Sequence, residues 1–204
     1  MDVLLLIKGG WMMIPVALLL LITVAVFIER IFAIKPAGKE NPTFMNRIRD
    51  YIHEEKVESA INLCRMTNTP VSRMIEKGIS RLGRPMNDIL AAIENVRNIE
   101  IARLKKGFRW IATATSVAPL LGFLGTAVDL VHAFFNRAHA APNADIASLS
   151  SEIYEALVPT VAGLTVGILA ALACNYLKAQ VGDAVNKMEI RTMEFMDLLN
   201  EPAK

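Results

Sequence analysis

The chain has 204 residues, 53% of them hydrophobic and 21% charged, with a formal net charge of +2. An apolar share above the about 45–50% of ordinary soluble domains, with almost no net charge, argues against a nucleic-acid-binding protein and for one that lives in a membrane. Cys64 and Cys174 have no CxxC partner and no nearby histidine pair, so the pattern predicts two reduced, packed thiols and neither a disulfide framework nor a zinc site.

Three long uncharged stretches organise the sequence. The first, Gly9 to Ile28, is closed by Glu29 and Arg30 and not by a small-residue cleavage site, so it reads as an uncleaved membrane helix within a 1–28 segment. Its 20 residues, at about 1.5 Å each, match a hydrocarbon core about 30 Å thick. Trp11 suits the interface, and Pro15 falls where a missing amide hydrogen is least costly. Thr23 is the sole polar side chain from Val16 to Ile28, which predicts a helix that faces lipid.

Residues 29–109 have soluble character and helical periodicity throughout. Phe44, Ile48, Tyr51 and Ile52 form one apolar stripe, and Val57, Ala60, Ile61 and Cys64 form the next. Thr69-Pro70 reads as an N-cap with proline at N1, Gly83 ends that helix, and Pro85 to Asp88 open another. The last pattern is uninterrupted as far as Gly107, so this helix is expected to run directly into the second span. Basic clusters at Arg30, Lys35 and Lys39, and at Arg103, Lys105, Lys106 and Arg109, place the region in the cytoplasm. The loop at 136–154 holds only Arg137 as a basic residue and falls outside with the N-terminus, leaving the C-terminus cytoplasmic.

The second span, 110–135, is the most unusual. From Ser116 to Phe135 it carries Pro119, Gly122, Gly125, Thr126, Asp129 and His132. A carboxylate in lipid costs about 2.5–3.5 kcal/mol on insertion scales, so it faces protein or water. Thr115, Gly122, Thr126, Asp129 and Ala133 fall near one helix face. Ser148 to Glu152 offer a cap for the third span, 155–177. That span presents Ala156, Thr160, Gly163, Gly167 and Cys174 on one face, and its Gly163-x-x-x-Gly167 allows close helix approach. The 178–204 tail is charged and amphipathic. The fold class that follows is all-α, an integral membrane protein with three transmembrane helices and a large cytoplasmic helical region.

No nucleophile–base arrangement, metal-ligand cluster or phosphate-binding glycine loop is present, so neither an enzyme nor a cofactor or metal site is expected. The chemistry lies in the spans. Glu155 and Asp129, near the outer boundary, with Thr126 and Thr160 beneath them, form a polar ladder able to pass a proton. Thr23, Thr113 and Thr165 read instead as hydroxyls bonded to their own helix backbone, and Glu155 also reads as a charge favoured at a helix N-terminus.

The sequence resembles the ExbB/TolQ/MotA family of proton-channel proteins, closest to its ExbB/TolQ branch. The carriers are Gly9-Gly10-Trp11 through Pro15 with Glu29-Arg30, A-P-L-L-G-F-L-G-T at 118–126, I-Y-E-A-L-V-P-T-V-A-G-L at 153–164, Asn175-Tyr176, and K-V-E-S-A-I-N-L-C-R followed by N-T-P-V-S-R. The resemblance implies a homopentamer in the bacterial inner membrane, its pore lined by the second and third spans. It further implies an ExbD/TolR-like dimeric partner with one aspartate-bearing span, and work done on a TonB- or TolA-like protein. By motif, Thr126 and Thr160 are the pore threonines and Glu155 the motif glutamate. Asp129 replaces a usual glycine and Pro159 a common alanine. Two further readings stand beside the proton-driven subunit: a TolQ-like role in envelope maintenance, and a non-conducting scaffold held by Gly163 and Gly167.

Overall fold

The computed structural model describes residues 11–38, 43–139 and 146–200. These form seven helices: α1 (Met13–Gly38), α2 (Phe44–His53), α3 (Val57–Thr67), α4 (Pro70–Ile79), α5 (Met86–Leu104), α6 (Phe108–Ala138) and α7 (Ile146–Asn200). No strand occurs among the described residues, and α1, α6 and α7 contain the stretches long and apolar enough to cross a membrane. The chain is thus an all-α membrane protein. It divides into two compact units, one of residues up to Ile28 with Gly107–Tyr176, the other of Glu29–Lys106 with the segment from Leu177 onward.

In the first unit, Val16 of α1 is buried with Ala118 of α6 and Val166 of α7, and Leu19, Leu20, Leu121 and Ala162 pack around them. Ile14, Leu18, Leu21, Val24 and Ile28 stay exposed at spacings of three and four residues. The surface available for the expected lipid contact is therefore confined to one side of the helix. One face of α1 is buried, and Thr23, 4% exposed, lies on it. Both faces are equally apolar, so periodicity had no contrast from which to show a side. Thr23 donates to the Leu19 carbonyl at 2.7 Å, and Thr113 and Thr165 to those of Arg109 and Val161 at 2.8 Å, as expected of isolated hydroxyls in lipid.

Two local expectations are overturned. The helix before the second span does not run into it: α5 stops at Leu104, and Gly107 takes φ +83° as the N-cap of α6. A side chain there is strained by the backbone alone and would meet Val26. Likewise α7 already begins at Ile146, so Ser148 to Glu152 lie inside a helix and do not cap it.

The second unit packs α2 on α3, α3 on α4 and α4 on α5. Thr69 caps α4 reciprocally: its hydroxyl accepts from the Ser72 amide at 3.2 Å, while the Ser72 hydroxyl accepts from the Thr69 amide at 2.9 Å. Ile48, Met74, Ile75, Ile79, Ile93, Met188 and Phe195 are fully buried, each such burial stabilising by about 1.5–3 kcal/mol. Phe195 lies so close to Gly78 that a methyl group there would come within 2.6 Å of its ring. Cys64 and Cys174 are both buried free thiols. Burial pushes the Cys64 thiol up to about 12. Because the folded value lies above the unfolded one, this thiol's contribution to stability is full below the unfolded value and is lost as pH rises toward about 12. Iodoacetamide at neutral pH should leave Cys64 unmodified in the native chain and label it after denaturation, a contrast that peptide mass spectrometry reads directly.

Candidate functional site

The site is built where α6 crosses α7, and glycines decide how close the two helices come. A β-carbon on Gly163 would lie 2.5 Å from the Ala118 carbonyl oxygen and 2.9 Å from the Gly122 α-carbon. One on Gly122 would lie 2.6 Å from the Pro159 carbonyl oxygen. Gly125 faces the Pro159 ring, and Gly167 faces the Pro119 ring, where an added β-carbon would lie 2.5 Å from the ring Cγ. Each helix thus sets one proline against a glycine of the other, with backbone against backbone between them. Without side chains to hold them apart, the helices pack at van der Waals contact, the main attraction available inside lipid.

That approach brings Thr126 and Thr160 together. Thr126 Oγ1 donates to the Ala156 carbonyl at 2.7 Å, Thr160 Oγ1 donates to the Gly122 carbonyl at 3.1 Å, and the two hydroxyl oxygens lie 2.5 Å apart. Each hydroxyl carries one proton and two lone pairs. Two protons cannot occupy three contacts, so one contact is always without its proton and the pair can rearrange by turning a single O–H bond. Thr126 is only 8% exposed; Thr160 is half-buried. Thr115, expected on the same polar face, instead donates to its own Ile111 carbonyl at 3.1 Å.

One turn beyond Thr126, the two helices open into a cleft of about 270 Å³ lined by Asp129, His132, Ala133 and Asn136 of α6 and by Glu152, Glu155 and Ala156 of α7. Asp129 and Glu155, singled out from sequence, therefore share one water-accessible space. Ala156 joins it to the hydroxyl pair, since it lines the cleft and its carbonyl accepts from Thr126. Sequence reasoning did not place Glu152 here. It stands three residues before Glu155 on the same helix face, which was the available signal. Its Oε2 is buried with no hydrogen-bond partner. Among the described residues, no group of three His, Cys, Asp or Glu side chains is arranged to hold a metal ion. The arrangement is suited to moving protons: titratable carboxylates at the cleft, then hydroxyls with interchangeable acceptors.

The family model described as the MotA/TolQ/ExbB proton channel family matches residues 66–190, which include the whole α6–α7 crossing. A biopolymer transport protein ExbB homologue of Methanothermobacter thermautotrophicus is 26% identical over 164 residues, covering 80% of this chain and 58% of that protein. The biopolymer transport protein ExbB of Neisseria meningitidis is 28% identical over 174 residues, covering 78% and 77%. The Tol-Pal system protein TolQ of Haemophilus influenzae is 34% identical over 92 residues, covering 45% and 40%.

Proposed function

Because the chain belongs to the MotA/TolQ/ExbB proton channel family, we propose that it is an inner-membrane stator subunit whose α6–α7 crossing carries protons and turns their flow into mechanical work. In this reading the subunits form a homopentamer around a pore, and a dimeric ExbD/TolR-like partner places an aspartate-bearing span within it. The cargo of the motion is a TonB- or TolA-like envelope protein, with ExbB-like energising of outer-membrane import ahead of TolQ-like envelope maintenance. The N-terminus lies in the periplasm, the second unit in the cytoplasm.

The observation that carries the proposal is the hydroxyl pair, with three contacts for two protons, directly beneath the carboxylate cleft. A proton taken up by Asp129 or Glu155 reaches the pair through cleft water. Each hydroxyl then takes the incoming proton on an oxygen lone pair, gives up the one it carries to the next oxygen, and turns to restore the starting arrangement. Beyond the pair, Gly163, Gly167 and Ala118 offer no side-chain relay, and the aspartate of the partner span completes the path.

A scaffold reading has one observation in its favour, because hydroxyls that grip the opposite backbone also clasp two helices. Valine in place of Thr160 separates the two. It keeps the shape and removes the hydroxyl, so proton flux in liposomes and proton-driven work in cells should vanish while the complex still assembles. Wild-type flux in that variant would leave only the scaffold. Serine at the same position keeps the hydroxyl and should keep the flux.

A further inference from the structure

We propose that Pro159 is a positioning residue: it sets the gap between α6 and α7 at the level of the hydroxyl pair, so that the hydroxyls can change partners without the helices parting. This inference rests on the reading of Thr126 and Thr160 as proton carriers.

Pro159 sits on α7 between Ala156, which accepts from Thr126, and Thr160, which donates to Gly122. Its side chain is less than 2% exposed. It meets α6 at two positions one turn apart. The ring lies against Gly125, where an added methyl group would come within 2.9 Å of its Cβ and 3.4 Å of its Cγ. The same methyl would lie 3.2 Å from Cβ of Met12, so the space in front of Gly125 is filled from the first span as well. The Pro159 carbonyl oxygen lies against Gly122, at 2.6 Å from where a β-carbon would stand.

A pyrrolidine ring has its φ locked and no rotamer into which it can withdraw. It is therefore a fixed stop between the helices. The hydroxyl bonds cannot serve that purpose while they also carry protons, because Thr126 and Thr160 must each let go of a carbonyl to turn. With the ring as spacer and the glycines as contact surface, the helix separation survives the moment at which the hydroxyl bonds are rearranged. Spacer and carrier are then different residues on adjacent positions of one helix.

The test uses the full-length chain with the membrane components that copurify with it, reconstituted in liposomes. Proton flux under an imposed pH gradient and the thermal midpoint are measured for wild type, Pro159→Ala, Pro159→Val and Thr160→Val. Alanine removes the ring, while valine restores the backbone N–H but keeps branched bulk against Gly125. Pro159→Ala should lose flux on the order of tenfold, since small misplacements of reacting groups have effects of this size or more. Pro159→Val should retain most of the flux. Full flux in Pro159→Ala overturns the proposal, and so does equal loss in both variants, which would assign the role to the missing N–H and not to the ring. Should Pro159→Ala fail to assemble, the valine variant decides alone, supporting the spacer if it conducts and overturning it if it assembles without conducting. Absence of flux in wild type, or full flux in Thr160→Val, removes the carrier reading and this inference with it. Loss in Thr160→Val with full flux in Pro159→Ala removes this inference only.

Discussion

Valine in place of Gly163 should abolish proton flux and lower the thermal midpoint by several degrees. The atoms a β-carbon would strike, at 2.5 Å and 2.9 Å, are the Ala118 carbonyl oxygen and the Gly122 α-carbon, all backbone and unable to rotate away. Overpacking of this kind costs about 1–3 kcal/mol, or more where the backbone itself must move. The helices separate, and the interhelical bonds of Thr126 and Thr160 stretch; each is worth about 0.6 kcal/mol, up to about 1.7, in a membrane. Under the proposed function the loss of flux exceeds the loss of stability, because that path runs through the two hydroxyls in contact. Gly182→Ala is the matched control. Nothing lies within 4 Å of an added methyl there, and helix propensity favours alanine by about 0.5–1 kcal/mol. If thermal unfolding in detergent and liposome flux show the two variants alike, the tight crossing is refuted.

Glu100→Ala should destabilise the second unit far more than loss of an exposed ion pair. The Glu100 side chain is 4% exposed and receives Arg73 at 3.0 Å and 2.7 Å in a two-pronged pair, with Arg103 at 2.9 Å. Arg73 also holds the Asn68 backbone and side-chain oxygens at 3.1 Å and 2.7 Å, where the chain takes a left-handed turn between α3 and α4. Removing one partner of a buried pair costs about 3–5 kcal/mol. The lower end applies here, because Arg73 and Arg103 side chains are 32% and 66% exposed and can recover water. The comparison is Arg65→Ala, which breaks the more exposed pair with Glu76 and should cost at most about 1 kcal/mol. Denaturant unfolding of both variants measures the gap, and equal losses would show that burial of Glu100 adds nothing.

Much of this architecture was legible in the sequence, for reasons that are local. The apolar stretches have the length of a bilayer, and a Thr-Pro pair states a helix start by backbone chemistry alone. Where a local signal was misread, a local cause remained. Gly107 ends an uninterrupted helical pattern, and its left-handed φ breaks α5 from α6.

Asp129 and Glu155 were recognisable as carboxylates in the wrong solvent, and their family setting named Thr126 and Thr160. Their grouping with Glu152 and His132 around one cleft was not visible, since it depends on how α6 and α7 are rotated against each other.

By itself, then, the sequence determined that three helices cross a membrane, that the region between the first two spans is helical, and which side chains are chemically out of place in the spans. Only the tertiary structure decided what Thr126 and Thr160 bond, and that Thr115 does not join them. Thr23, Thr113, Thr115 and Thr165 bond carbonyls four residues back on their own helices, whereas Thr126 and Thr160 reach across to Ala156 and Gly122. The residue type is the same in all six. What differs is the opposite wall: a hydroxyl leaves its own helix for another backbone only where glycines bring that backbone within hydrogen-bonding distance. That distance is set by the crossing of two helices, and no stretch of either one contains it.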